Sequence, residues 1–155
     1  MNAPAQELEF PGADRPLPDA ALRAKREELI ARHALAEFAQ DVDGVLATFA
    51  RGARYIMMPF DEVLLDGDDA VRGYFDELHR AFPDMDHELI KFHHAPDAVF
   101  LEGRIAGTQA ADWRGIPNRG KRMSLDVLTI FHFDGEVLVD ETTYYDEATL
   151  AKQLA

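Results

Sequence analysis

An aspartate inside an otherwise apolar run is the strongest candidate for chemistry in this sequence. Asp126 lies within residues 123–133, and strand alternation places it on one face with Leu128 and Ile130. A carboxylate on an apolar face is costly to desolvate, and burial raises its pKa towards the range in which it can remove a proton near neutral pH. Asp126 is therefore the predicted general base.

The same pattern permits a second interpretation of Asp126. Its strand face could point to solvent or to a subunit interface, with the carboxylate paired to Arg104 or Arg122. Because a register shift of one residue exchanges the two faces of a strand, the sequence leaves both interpretations open.

Two further polar residues could assist such a base. Gln109 shares its strand face with Leu101 and Ile105, and its amide could hydrogen-bond a substrate carbonyl but cannot exchange protons. His33 lies within one helical turn of Ile30 and could act as an acid, a base or a hydrogen-bond donor. With Asp126 they form the predicted catalytic set, although each could equally be a satisfied structural residue.

Four aromatic residues are predicted to contact a substrate. Trp113 is the only tryptophan and lies in a loop over residues 112–120, where its flat apolar face could cover a pocket. Tyr55, Tyr74 and Tyr145 could line the same space. Packing at the rim of the domain is the alternative for all four.

Other classes of chemistry find little support. Cysteine is absent, and the only serine, Ser124, has no nucleophile-elbow context. His93 and His94 are adjacent on a predicted strand and point to opposite faces, so they cannot chelate one ion. We therefore expect no metal site and no cofactor.

Composition restricts the partners and the location. The 155 residues carry 29 acidic and 16 basic side chains, a net charge of −13, which repels nucleic acid and anionic membranes. No apolar run approaches the roughly 18 residues that span a bilayer, and the N-terminus lacks the order of a signal peptide. We expect a cytoplasmic protein that binds neither nucleic acid nor membranes.

Helices dominate the first half of the predicted domain. A proline-rich, flexible arm is expected over residues 1–18, and a single domain over residues 19–155. Asp19 is the expected N-cap of a helix running to about Gln40. A short second helix over residues 41–50, a hairpin turning at residues 59–62 and a third helix ended by Pro83 follow.

Strands dominate the second half. Turn signals, including the Asp134–Gly135 pair, separate four apolar runs. The predicted strands are His87–His94, Ala98–Ala110, Arg122–Phe133 and Glu136–Tyr145, followed by a terminal helix over Asp146–Leu154. Three helices followed by an antiparallel meander indicate an α+β architecture.

Several phrases in this order resemble the NTF2-like superfamily, in particular its SnoaL-like, polyketide cyclase-related branch. They are HALAEFAQDVD from His33, GYFDELHRAFPD from Gly73, GTQAADWRGIPNRGK from Gly107, and the C-terminal YYD and LAKQL. Together the phrases span about residues 20–155. The resemblance implies a cone-shaped, half-open barrel in which three N-terminal helices pack on a curved, mostly antiparallel sheet around an apolar cavity.

The resemblance also suggests a function. In SnoaL-like cyclases an acidic residue on an inner strand removes a proton next to a carbonyl, and a histidine follows a Gly-Thr pair; here Gln109 follows Gly107–Thr108. We expect a homodimer that binds a small apolar carbonyl or ring-containing compound, either converting it as an isomerase, cyclase or hydratase with Asp126 as base, or only holding it. A dimerisation module is a further alternative.

Overall fold

The computed structural model describes residues 15–58, 63–64 and 68–155, and the described residues form four helices and six strands. The predicted turn at residues 59–62 and residues 1–14 of the predicted arm lie outside them. In chain order the elements are α1 (Ala20–Phe38), α2 (Val42–Leu46), β1 (Phe49–Met58), β2 (Val63–Leu64), α3 (Asp68–Ala81), β3 (Asp86–His94), β4 (Ala98–Thr108), β5 (Arg122–Asp134), β6 (Val137–Tyr144) and α4 (Glu147–Leu154).

Aspartate side chains cap the N-termini of three of the helices. The carboxylate of Asp19 accepts a hydrogen bond from the backbone N–H of Leu22 at 2.8 Å at the start of α1. Asp41 and Asp146 cap α2 and α4 in the same way. Each cap satisfies a backbone donor that has no partner inside its helix.

The prediction of a second helix over residues 41–50 is wrong over its C-terminal half. α2 ends at Leu46, and the chain enters β1 at Phe49, which pairs with Leu138 of β6. The local spacing of apolar residues favoured a longer helix, but pairing with the distant strand β6 places the last residues of that segment in a strand.

The six strands form one sheet in the order β2-β1-β6-β5-β4-β3. Every neighbouring pair is antiparallel except β1 and β6, which run parallel. Gly135 adopts a positive φ of 60° in the tight connection between β5 and β6, as the Asp-Gly signal predicted. The α+β, mostly antiparallel fold class is confirmed.

Register shifts interrupt the sheet at three places and accompany its curvature. One of them lies in the β5–β6 hairpin, where Phe133 pairs with Leu138 but His132 pairs with Asp140. Val139 is therefore an extra residue, and the side chains that follow it change faces. As a result Leu138 and Glu141, three positions apart, are both buried.

Two apolar clusters fill the space between helices and sheet. One holds α3 and α4 against the sheet and includes Phe75, Phe82 and Leu150. The other lies beneath α1 and includes Ile30 and Phe131. Within the described residues, no helix is long and apolar enough to cross a membrane.

Candidate active site

A cavity of about 100 Å³ lies between the inner face of the sheet and helices α1 and α3. Most of its wall is apolar. Exposed side chains of Phe38, Glu88 and Leu89 line one part of it and mark where the cavity meets the surface, and we call these residues the cavity mouth. An apolar cavity with few polar groups is the usual form of a small-molecule site.

The four predicted substrate-contacting aromatics all lie on the wall of this cavity. Tyr55 comes from β1, Tyr74 from α3, and Trp113 and Tyr145 from connecting segments. The rings pack on one another, with centroids 5.7 Å apart for Tyr55 and Tyr74 and 6.1 Å apart for Tyr74 and Trp113. Their location agrees with the expectation, and contact with a ligand stays a prediction.

Three ionisable side chains, His33, Glu37 and Glu141, meet at the inner wall, and we call them the acid–histidine cluster. His33 and Glu37 are four residues apart on α1 and so project from the same side of the helix. Glu141 lies on β6 beside Tyr55 of the parallel strand β1. Both carboxylates line the cavity, while His33 lies behind them.

The distances within the cluster are short. Nε2 of His33 lies 3.1 Å from Oε2 of Glu141 and 3.4 Å from Oε1 of Glu37. Exposure is 0% for the His33 side chain, 3% for Glu141 and 17% for Glu37. Despite these distances, Nε2 of His33 and Oε2 of Glu141 form no aligned hydrogen bond and contact each other only as an ion pair.

A hydrogen-bond chain behind His33 fixes its ring. The hydroxyl of Thr48 donates to the carbonyl of Val45 at 2.6 Å, so at its 2.8 Å contact with Nδ1 of His33 it acts as acceptor. Nδ1 therefore carries a proton, and Nε2 is the nitrogen turned towards the carboxylates.

Burial and mutual charge shift the pKa values of the cluster. Burial opposes the charge on His33, but the negative charges of Glu141 and Glu37 outweigh it and raise the pKa of His33 to about 10. Burial also opposes ionisation of Glu37, yet the positive charge of His33 holds its pKa below the ordinary value. For Glu141 burial prevails and raises the pKa.

The tyrosines of the wall stay protonated. Burial, aided by the charges of Glu141 and Glu37, raises the pKa of Tyr55 well above its ordinary value, and burial likewise raises that of Tyr74. Burial also raises the pKa of Tyr145. Their hydroxyls therefore keep their protons, and those of Tyr55 and Tyr74 lie close enough to Glu37 and Glu141 to feel their charges.

The expectation that Asp126 faces the cavity is wrong. Its side chain is 78% exposed and bonds to Nε of Arg104 at 2.9 Å, and Arg104 is its direct partner across β4 and β5. Asp126 shares a face with Leu128 and Ile130 as expected, but that face is the outer one. The inner face carries Leu125 and Thr129. Because both faces of β5 carry apolar residues, the sequence did not show which of them is the inner one.

Gln109 is buried, yet its amide is directed away from the cavity. Its Nε2 donates to the carbonyl of Ile116 at 3.2 Å, and its Oε1 accepts from the N–H of Arg119 at 3.1 Å. Both ends of the amide therefore hold the loop that carries Trp113. The structure does not bring Gln109, Asp126 and His33 together.

Sequence reasoning missed Glu37 and Glu141. The spacing of Glu37 from His33 on the predicted helix could have found the first. Glu141 had no such signal, because strict alternation from Leu138 places Asp140 inward, and only the extra residue Val139 turns Glu141 towards α1.

The chain belongs to the family described as SnoaL-like polyketide cyclase, whose sequence profile matches residues 29–154. No curated protein is significantly similar in sequence.

Solved structures share the fold at low sequence identity. A SnoaL-like protein from Jannaschia sp. CCS1 is 16% identical with a TM-score of 0.79, covering 88% of this chain and 96% of that one. TsrD from Streptomyces laurentii is 21% identical with a TM-score of 0.74, covering 86% and 96%. An NTF2-like protein from Burkholderia thailandensis E264 is 22% identical with a TM-score of 0.68, covering 84% and 97%.

Proposed function

We propose that this protein binds a small, largely apolar carbonyl or ring-containing compound in the cavity and moves a proton next to its carbonyl group. The observation that carries the proposal is the pair of carboxylates, the buried Glu141 and the largely buried Glu37, on the mostly apolar wall of the cavity. Burying charge is costly, so carboxylates held on a cavity wall are candidates for a functional site.

The positions of Glu141, Tyr74 and Tyr145 support a role for each of them. Glu141 lies at the inner wall and takes the place of Asp126 as the base that accepts the proton. The hydroxyls of Tyr74 and Tyr145 are suited to donate hydrogen bonds to the carbonyl oxygen as negative charge develops on it. Isomerisation, cyclisation and hydration all pass through such a step, and none of them needs an organic cofactor.

Exchange of carbon-bound hydrogen tests the proposal without knowledge of the natural substrate. Cyclohexanone, decalone and tetralone are incubated with the protein in D₂O, and loss of the proton signals next to the carbonyl is followed by NMR. We expect enzyme-dependent exchange with at least one ketone. Replacing Glu141→Gln should slow it by roughly 100-fold or more, the usual contribution of a positioned base.

Asp126→Asn is the matched control, because it removes an equivalent charge on the outer face of the sheet. Exchange that survives Glu141→Gln, or that Asp126→Asn abolishes, contradicts the assigned base. Binding of the ketones without any exchange favours the second candidate, a non-catalytic binding protein, which the outward position of Asp126 and the structural use of Gln109 also favour.

We also propose that the protein is a homodimer joined through the outer face of its sheet, and that it is cytoplasmic. Leu128 and Tyr144 lie directly opposite each other on β5 and β6, exposed by 37% and 42%, with the half-buried Ile130 alongside. A contiguous apolar patch on a sheet is typical of an interface.

A further inference from the structure

We propose that His33, Glu37 and Glu141 bind one divalent transition-metal ion, with open coordination positions directed into the cavity. The sequence predicted no metal site, because His93 and His94 point to opposite faces of their predicted strand. The bulge that brings Glu141 to α1 has no signature in the chain.

The spacing of the three groups fits one ion. One nitrogen and two carboxylate oxygens lie within 4.8 Å of one another, with the imidazole nitrogen 3.1 and 3.4 Å from the two oxygens. Zinc and similar ions lie about 2.1 Å from such ligands, which puts neighbouring ligand atoms roughly 3.0 to 3.4 Å apart.

The relative orientation of His33 and Glu141 also fits a shared ion. Nε2 of His33 and Oε2 of Glu141 are buried and 3.1 Å apart, yet they form no aligned hydrogen bond. The carboxylate oxygen therefore lies beside the axis of the ring nitrogen. A simple imidazolium–carboxylate pair favours alignment along that axis, whereas ligands around a shared ion flank it.

The surroundings of His33 match those of a metal ligand. Its Nδ1–H donates to Thr48, and this leaves Nε2 as the nitrogen that faces the carboxylates. A histidine that binds a metal almost always donates its other N–H in this way, which fixes the ring and its tautomer. On the carboxylate side, the hydroxyl of Thr143 lies 3.5 Å from Oε1 of Glu141.

The ligand set indicates the class of ion. One imidazole and two carboxylates suit zinc, manganese, iron(II) or cobalt(II) better than calcium or magnesium. Since Glu37 and Glu141 line the cavity, water or a carbonyl oxygen could complete the coordination. That role in polarising a carbonyl rests on the proposed function, but metal binding itself does not.

Metal binding is tested on the 155-residue chain after dialysis against a chelator. Calorimetric titration with Zn²⁺ and Mn²⁺ should give one ion per chain, and Co²⁺ should develop visible absorption bands on binding. His33→Gln and Glu141→Gln should each weaken Co²⁺ affinity by more than about 100-fold, beyond the loss typical of a group outside the ligand set.

A surface pair of the same residue types supplies the control. His93 lies 2.5 Å from Glu102 in an exposed position, so His93→Gln should leave the affinity unchanged. Thr48→Val retains every ligand and should weaken binding by roughly 10- to 100-fold, which keeps the test valid if a ligand variant fails to fold.

Absence of stoichiometric binding, or binding that persists in both ligand variants, overturns the metal site in favour of a protonated His33 paired with two carboxylates. Loss of affinity in His93→Gln also overturns it, since it places the ion on the surface. Ketone exchange by a protein that binds no ion overturns only the metal proposal, and stoichiometric metal binding without ketone exchange overturns only the proposed function.

Discussion

At the scale of single residues, His33 is the central member of the acid–histidine cluster, because it contacts both carboxylates. The rings of Phe49 and Phe131 contact it edge-on, at centroid distances of 5.2 and 5.7 Å. Thr48 holds its Nδ1, so Nε2 can interact only on the side of the two carboxylates. The apolar contacts exclude water behind the ring, which strengthens every electrostatic interaction on its other side.

Trp113 makes ligand binding directly observable. It is the single tryptophan of the chain, it is 3% exposed, and it lies on the cavity wall against Phe82 at a centroid distance of 5.7 Å. A ligand in the cavity changes the polarity around the indole, so decalone should alter its fluorescence intensity or emission maximum in a saturable manner. A titration followed by tryptophan fluorescence measures this.

Two controls test whether the change in fluorescence comes from Trp113 and from an apolar ligand. Trp113→Phe should abolish the fluorescence change, and xylose, a polar molecule, should cause none in the unmodified protein. Saturable changes with xylose, or none with any apolar ketone at millimolar concentration, would contradict an apolar ligand site.

The candidate site could be predicted only in part. The four aromatic residues predicted to contact a substrate do lie on the wall, because large rings are often buried in the interior. The face occupied by Asp126 could not be predicted, because both faces of β5 carry apolar residues. Glu141 could not be predicted because a single inserted residue reverses the alternation on which the reasoning depends.

At the scale of elements, Arg26 attaches α1 to two turns of the sheet. Its Nε donates to the carbonyl of Gly135 at 2.9 Å and its guanidinium to that of Pro96 at 3.2 Å, while the ring of Phe133 lies 5.0 Å below it. Because α1 also carries two members of the acid–histidine cluster, this attachment fixes where His33 and Glu37 lie relative to β6.

Arg26→Met tests the importance of the attachment. Methionine retains much of the apolar stem but leaves two carbonyls without a charged donor, so the free energy of unfolding should fall by about 2 to 4 kcal/mol. Urea denaturation measures the change. Arg32→Met, on an exposed position of the same helix, should stay within about 0.5 kcal/mol of the unmodified protein. Equal effects of the two substitutions would show that Arg26 does not clamp α1.

The elements themselves were largely predictable. Asp19, Pro83 and the Asp134–Gly135 pair mark boundaries through local backbone chemistry, and the structure has boundaries at each of them. The parallel pairing of β1 with β6 was not predictable, because it joins residues as far apart as Phe49 and Leu138 and has no local signal. The same pairing shortened the second helix and created the wall on which Tyr55 and Glu141 meet.

At the scale of the whole molecule, the sheet separates two kinds of surface. Its inner face, with the helices, encloses the cavity and the acid–histidine cluster. Its outer face carries apolar residues around Leu128 and Tyr144, flanked by charged pairs such as Arg104 and Asp126. An apolar centre with a charged rim is the usual anatomy of a protein interface, and this arrangement supports the proposed dimer.

Sedimentation of single-residue variants tests the dimer. We expect the unmodified protein to sediment as a dimer at micromolar concentration and Leu128→Asp to sediment as a monomer, since the new carboxylate would be buried without a partner at the centre of the interface. Leu35→Asp is the matched control: Leu35 is 64% exposed, but it lies on α1, away from the outer face.

A monomeric unmodified protein, or a Leu128→Asp variant that remains dimeric, would show that this face serves another purpose. Dissociation by Leu35→Asp alone would instead place the interface on the helices, next to the cavity mouth at Phe38.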